Sequence, residues 1–122
     1  MKKRSSLSAE DRTASFLSDL IMEGQEALDF VDGMTFPDFV KRSLERHAVM
    51  KALENVAEAT KHLPASLKKR HPIVDWRGIA GFRTKTAHHY WEIDWSLVWS
   101  VLKEHLPSLL DVARSELERI EL

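Results

Sequence analysis

The chain contains no cysteine, so disulfide bridges and thiolate metal sites are excluded outright. No apolar run approaches the roughly 20 residues needed to cross a bilayer. The first residues, Met1-Lys2-Lys3-Arg4, lead into Ser5, Ser6, Glu10 and Asp11 rather than into the apolar core of a signal peptide. No strand-like alternation, internal repeat or low-complexity tract breaks the pattern. Together these absences predict a cytoplasmic protein with no membrane partner. What is present is an ordinary globular mixture, 43% hydrophobic and 30% charged, which argues against a disordered chain. Its 122 residues fit one domain over 1–122, with residues 1–7 expected as a flexible tail.

The net charge of −1 conceals an asymmetry. Between Lys61 and Tyr90 stand seven lysines and arginines against one acid, Asp75, while the rest of the chain is acidic. Such a band could attract phosphate groups, although charge alone favours the plainer reading of a solvated helix face. Lys68-Lys69-Arg70 reads more simply as a solvated turn.

Hydrophobic spacing predicts four long amphipathic helices. Ser8 with Asp11 caps the first, whose stripe runs through Phe16, Leu17, Leu20, Ile21, Leu28 and Val31 before Gly33 ends it. Thr35 caps the second, with Pro37 tolerated and Asp38 favourable in its first turn. That stripe passes through Phe39, Val40, Leu44, Val49, Leu53, Val56 and Leu63. A short helical turn and a loop follow over residues 65–74. Asp75 caps a third long helix through Trp76, Ile79, Ala80, Arg83, Ala87 and Tyr90, in which Gly78 and Gly81 suggest close approach of another backbone. Asp94 caps the last, carrying Trp95, Val98, Trp99, Leu102, Leu106, Leu109, Ala113, Leu117 and Ile120, with a kink expected near Pro107. The fold class is therefore all-α, an antiparallel bundle of four to five helices. Trp76, Trp91, Trp95 and Trp99 read as packing residues, in the core or at a subunit interface.

One stretch carries chemistry. Arg83, His88, His89 and Tyr90 fall within eight residues. Arg83 and Tyr90 share a helical face, but Arg83 and His88 would point about 140° apart on an ideal helix. They meet on one substrate atom only if the helix ends or distorts near His88, or if a second subunit completes the site. That geometry argues for a symmetric homodimer with a composite cleft. The plainer alternative is an Arg83 paired with a carboxylate and a His88 satisfied at an interface. His71, His88 and His89 lack metal-ligand spacing, so neither metal nor cofactor is expected. His47, His62 and His105 lie on or near helical stripes and read as structural.

The pattern Arg83-x4-His88-x-Tyr90 resembles the signature of HepT-like toxins, in the higher-eukaryote-and-prokaryote nucleotide-binding (HEPN) superfamily. The frame agrees as well: Val56-Ala57-Glu58-Ala59, Leu63, His71-Pro72, Trp76-Arg77, Ile93-Asp94, Val98-Trp99 and Leu106-Pro107 fall where that family has similar residues. The likeness runs from about Leu17 to Leu110. Two positions depart from it. Thr84 stands where the family usually has Asn, and Ala57 replaces a glycine.

The resemblance implies a metal-independent endoribonuclease toxin with Arg83 and His88 catalytic, supported at the substrate by Thr84, Lys85 and His89. It implies a minimal nucleotidyltransferase antitoxin as partner, able to attach AMP to Tyr90 and so block the cleft. The residue types suit such chemistry. Attack by the RNA's own 2′-hydroxyl needs a group exchanging protons near neutral pH, which imidazole supplies. Charge building on the phosphate needs a permanent cation, which a guanidinium fork supplies with two hydrogen bonds. The competing reading is a non-catalytic HEPN companion of a nucleotidyltransferase.

Overall fold

A computed structural model of the chain describes residues 7–82 and 92–121. Every regular element among them is helical. In order they are α1 (Ala9–Phe30), α2 (Phe36–Lys41), α3 (Ser43–Lys61), α4 (Ala65–Arg70), α5 (Trp76–Ala80), α6 (Trp95–Ser100), a π-helical turn (Val101–His105) and α7 (Leu106–Glu121). None is long and apolar enough to cross a membrane. The all-α bundle expected from hydrophobic spacing is thus what forms. Residues 1–6 of the expected tail lie outside the described residues.

The helix starts are written in side chains. Ser8 Oγ accepts from the Asp11 amide at 3.1 Å, satisfying one of the orphan N–H groups of α1. Thr35 and Asp38 form a reciprocal capping box, with bonds of 3.1 and 3.3 Å, and the Thr35 amide and hydroxyl hold the Asp38 carboxyl below its ordinary pKa. Asp94 Oδ1 takes the amides of Ser96 and Leu97 at 3.0 and 3.3 Å and opens α6. Gly33, at φ 76°, supplies the left-handed residue after α1.

Three elements carry the bulk of the core. Phe16, near the start of α1, stacks on His62, just past the end of α3, at 4.4 Å between centroids. The two helices therefore run antiparallel, burying Leu17, Leu20 and Ala27 against Val49, Leu53 and Val56. On its other side α1 meets α7 at Gly24. A Cβ there would stand 2.6 Å from Leu110 Cδ2 and 3.2 Å from Leu106 Cδ1. The absent side chain lets the two helices close, and Arg114 seals the edge by donating to Gln25 Oε1 at 2.7 Å.

Three expectations need correction. The long helix expected from Trp76 to Tyr90 is α5, which stops at Ala80 with Gly81 as its cap; residues 83–91 lie outside the described residues. The second stripe is not one helix, because Arg42 leaves helical geometry at φ −104°, ψ 87°. The break turns Val40 and Leu44 away from the core, at 41% and 78% exposure. The glycines at positions 78 and 81 meet no foreign backbone among their nearest described atoms. A Cβ on Gly78 would collide with the capping carboxylate of Asp75, and one on Gly81 would lie 3.3 Å from the carbonyl of Arg77 in its own helix.

The disturbance expected at Pro107 takes a specific form. Proline has no N–H and its ring crowds the carbonyl four residues back. The preceding turn widens, so that the Leu106 amide reaches Val101 O, five residues back. Trp95 to Glu121 is thus continuously helical through a π turn, and it keeps Val98, Leu102, Leu106, Leu109 and Ala113 buried.

Gly24 yields a direct test. Gly24→Val should lower stability by about 2 kcal/mol, since a branched side chain forces α1 and α7 apart. Gly24→Ala should be nearly neutral, because a helix-propensity gain of about 1 kcal/mol offsets displacement of the Leu110 methyl. Urea midpoints of the two variants beside the parent decide it.

Candidate active site

The six residues singled out from the sequence, Arg83, Thr84, Lys85, His88, His89 and Tyr90, all lie outside the described residues, as does Trp91. The described residues show what holds the chain on either side. On the upstream side, Phe82, adjacent to Arg83, is 4% exposed and belongs to the core. Downstream, Ile93 packs against that core and Asp94 caps α6. The Ser96 hydroxyl and amide, with the Leu97 amide, hold the Asp94 carboxyl below its ordinary pKa.

The upstream anchor is built from α5 outward. Asp75 Oδ1 accepts from the Gly78 amide at 3.0 Å and starts the helix. The Trp76 indole N–H is shared between Lys68 O at 3.2 Å and His71 O at 3.0 Å, tying α5 to the end of α4. Behind Phe82 lies a mostly apolar cavity of about 120 Å³, bordered by Val56, Ile79, Phe82, Leu97, Val101 and His105. The π turn forms one wall.

One carboxylate holds this assembly to the C-terminal helix. Glu116, 4% exposed, accepts a bidentate pair from Arg70, Nε to Oε1 at 3.0 Å and Nη2 to Oε2 at 2.8 Å. His71 Nε2 lies 2.7 Å from the same Oε1. The Arg70 hydrogen bonds, aided by His71 and opposed by burial, pull the Glu116 carboxyl down to about 2. Its carboxylate raises the Arg70 pKa in return.

That cluster also sorts the basic band. Arg70 is committed to Glu116, and Lys61 lies 3.5 Å from Glu58. Lys69 and Arg77 are exposed with no ion pair among the described residues. His71, weighed above as a metal ligand, is occupied by Glu116. His47 is exposed and bonded to its own helix at Ser43 O, His62 stacks on Phe16, and His105 borders the cavity. Two further cations escaped the sequence reading: Arg46 lies over the Trp95 ring and Lys103 over Trp99. The fourfold spacing of Trp95, Trp99 and Lys103 was the available signal for one of them.

Comparison with known proteins bears on this segment. A family model described as "Ribonuclease HepT-like" matches residues 21–116, a range that contains every residue of the motif. A protein of Methanocaldococcus jannaschii named "Putative RNase MJ0127" is 34% identical over 94 residues, which is 77% of this chain and 78% of that one. The protein "Probable ribonuclease HepT" of Thermococcus cleftensis is 35% identical over 95 residues, 75% of this chain and 86% of its own. No solved structure matches.

Glu116 sets an acid limit on stability. Its carboxyl falls from an ordinary 4.5 to about 2 on folding, so the stabilisation is complete above about pH 4.5 and is lost as pH drops towards 2. Glu116→Gln should cost about 2 kcal/mol at neutral pH. It should also flatten the decline in stability between pH 4.5 and pH 3. Urea unfolding of both proteins at pH 7, 4.5 and 3 measures the two effects together.

Proposed function

This chain belongs to the HepT-like ribonuclease family of the HEPN superfamily, and from that premise we propose a metal-independent endoribonuclease whose catalytic groups are Arg83 and His88. The observation that carries the reading is Arg83-x4-His88-x-Tyr90 standing inside the matched range 21–116. In this mechanism the 2′-oxygen next to the scissile phosphate attacks phosphorus, and the bond to the 5′-oxygen breaks. A 2′,3′-cyclic phosphate and a free 5′-hydroxyl result. An ordinary imidazole titrates near about 6.5, so His88 can take the 2′-hydroxyl proton when neutral or give one to the leaving 5′-oxygen when charged. Arg83 holds the non-bridging oxygens through two parallel N–H bonds as charge grows on them. DNA, lacking the nucleophile, is not cut.

Thr84, Lys85 and His89 complete the substrate contacts, with the Thr84 hydroxyl standing in for the amide usual at that position. Two copies in a homodimer supply the Arg83–His88 pair across a shared cleft. That arrangement answers the wide angle the two residues would make on an ideal helix. The setting is a cytoplasmic toxin–antitoxin pair, in which a minimal nucleotidyltransferase silences the nuclease. The Tyr90 oxygen attacks the α-phosphorus of ATP, loses its proton and expels pyrophosphate. The AMP it retains puts bulk and negative charge beside Arg83, where an RNA phosphate would otherwise sit. Thr84 favours a second reading, a HEPN companion that binds a nucleotidyltransferase and cuts nothing.

Two measurements separate these readings. In excess EDTA the purified chain should cleave total RNA to 2′,3′-cyclic phosphate ends, and His88→Ala should lose activity by at least a hundredfold. Full activity in His88→Ala removes His88 from the mechanism; no cleavage by the parent supports the companion, with Thr84→Asn the variant to examine next. After coexpression with a cognate nucleotidyltransferase, mass spectrometry should find AMP on the peptide bearing Tyr90. An unmodified peptide from a silenced complex would leave occlusion as the means of control.

A further inference from the structure

Two tryptophan rings on the α2–α6 side of the bundle lie beneath cations. The Arg46 guanidinium carbon is 5.2 Å from the Trp95 centroid, and Lys103 Nζ is 4.9 Å from that of Trp99. Phe39, fully buried, anchors both rings, at 5.8 Å from Trp95 and 5.2 Å from Trp99. Packing accounts for Phe39. It does not account for two half-exposed indoles each meeting a cation that has no carboxylate at ion-pair distance among the described residues.

The acids in these helices are largely engaged elsewhere. Asp38 closes its capping box, and Glu45 lies 2.6 Å from Arg42. Asp94 caps α6, and Glu104 accepts from Ser100 Oγ at 2.9 Å; Glu92 is exposed. Arg46 donates through Nη1 to Val40 O, while its buried Nε has no hydrogen-bond partner among the described residues. The indole and the Val40 carbonyl together position that guanidinium. This aromatic and basic strip begins at Trp95, five residues after Tyr90, and continues every fourth residue through Trp99 to Lys103.

We propose that this strip is a binding track for single-stranded RNA, carried by the stretch of chain that follows the Arg83–Tyr90 motif in sequence. Bases stack on the open parts of Trp95, Trp99 and the half-buried Phe36, and Arg46 and Lys103 neutralise the phosphates between them. Stacking of this kind tolerates any sequence, because every base has a π face. Phosphates supply the negative charge that the surrounding carboxylates, already committed, do not. The inference rests on the ribonuclease reading and assigns binding residues outside its motif.

The test uses a fluorescent 2′-O-methyl oligouridylate of about twelve nucleotides, which has no 2′-hydroxyl to attack, followed by anisotropy. At roughly 0.1 M salt, Lys103→Ala and Arg46→Gln should each weaken binding about fivefold and reduce the salt slope by about 0.7, the value of one single-strand phosphate contact. Arg119→Ala removes the same charge roughly 24 Å along the same helical run and should change neither. Lys103 is exposed, so its variant carries the test even if Arg46→Gln fails to fold. Cleavage of a dinucleotide, which spans only the scissile phosphate, should persist in both variants while kcat/KM on long RNA falls about fivefold.

Unchanged affinity in Lys103→Ala, with dinucleotide cleavage intact, overturns the track and leaves the nuclease standing. A parent that neither binds the oligonucleotide nor cuts the dinucleotide overturns the ribonuclease reading itself. Sedimentation showing that Lys103→Ala disrupts a protein assembly while RNA affinity is kept would assign the strip to a protein partner and also overturn the track.

Discussion

The carboxylate of Glu116 is the constraint around which this bundle is arranged. It is taken into the protein at 4% exposure because two cationic or polar partners, Arg70 and His71, reach it from a single turn of chain. A buried charge without such partners would be strongly unfavourable, so the C-terminal helix and the α4–α5 junction stay together or both lose their partners. The junction so fixed presents the carbonyls of Lys68 and His71 to the Trp76 indole. Through Trp76 the position of α5 follows, and through α5 the burial of Phe82 next to Arg83.

The remainder of the scaffold arranges apolar surface around that frame. Gly24 brings α1 and α7 close enough for Leu106 and Leu110 to fill the space a side chain would take. The π turn before Pro107 keeps Leu102 and Leu106 both buried despite the missing N–H. It also lines the cavity behind Phe82. A bundle of few long helices thus holds the ends of a short polar segment through anchors of different kinds: an apolar plug at Phe82 and an electrostatic cap at Asp94.

Helix starts were legible because a capping residue satisfies its own orphan amides within three residues, as Ser8, Thr35, Asp75 and Asp94 do. The stripe through Leu17 and Leu20 was legible for the same local reason, the period of the helix. The break at Arg42 was not, since Val40 and Leu44 continue the apolar spacing in sequence while the chain turns away between them. Gly78 was noticed, but that the nearest atoms it makes room for belong to its own cap was not legible. In the candidate site, the spacing of Arg83, His88 and Tyr90 was plain in sequence. The approach of Arg46 from α3 to Trp95 on α6 was not.

The sequence by itself determined the helical class, the side-chain caps at Ser8, Thr35, Asp75 and Asp94 and, through an Arg-x4-His-x-Tyr pattern in a matching frame, membership of the HepT-like ribonuclease family. All of these are encoded over a few residues or a single period. The tertiary structure alone decided that Glu116 meets Arg70 and His71 across some 45 residues of chain, that Gly24 marks a close contact between α1 and α7, and that Arg46 lies over Trp95. Such contacts join side chains far apart in sequence. Whether they form depends on how whole helices pack, and no local spacing records that.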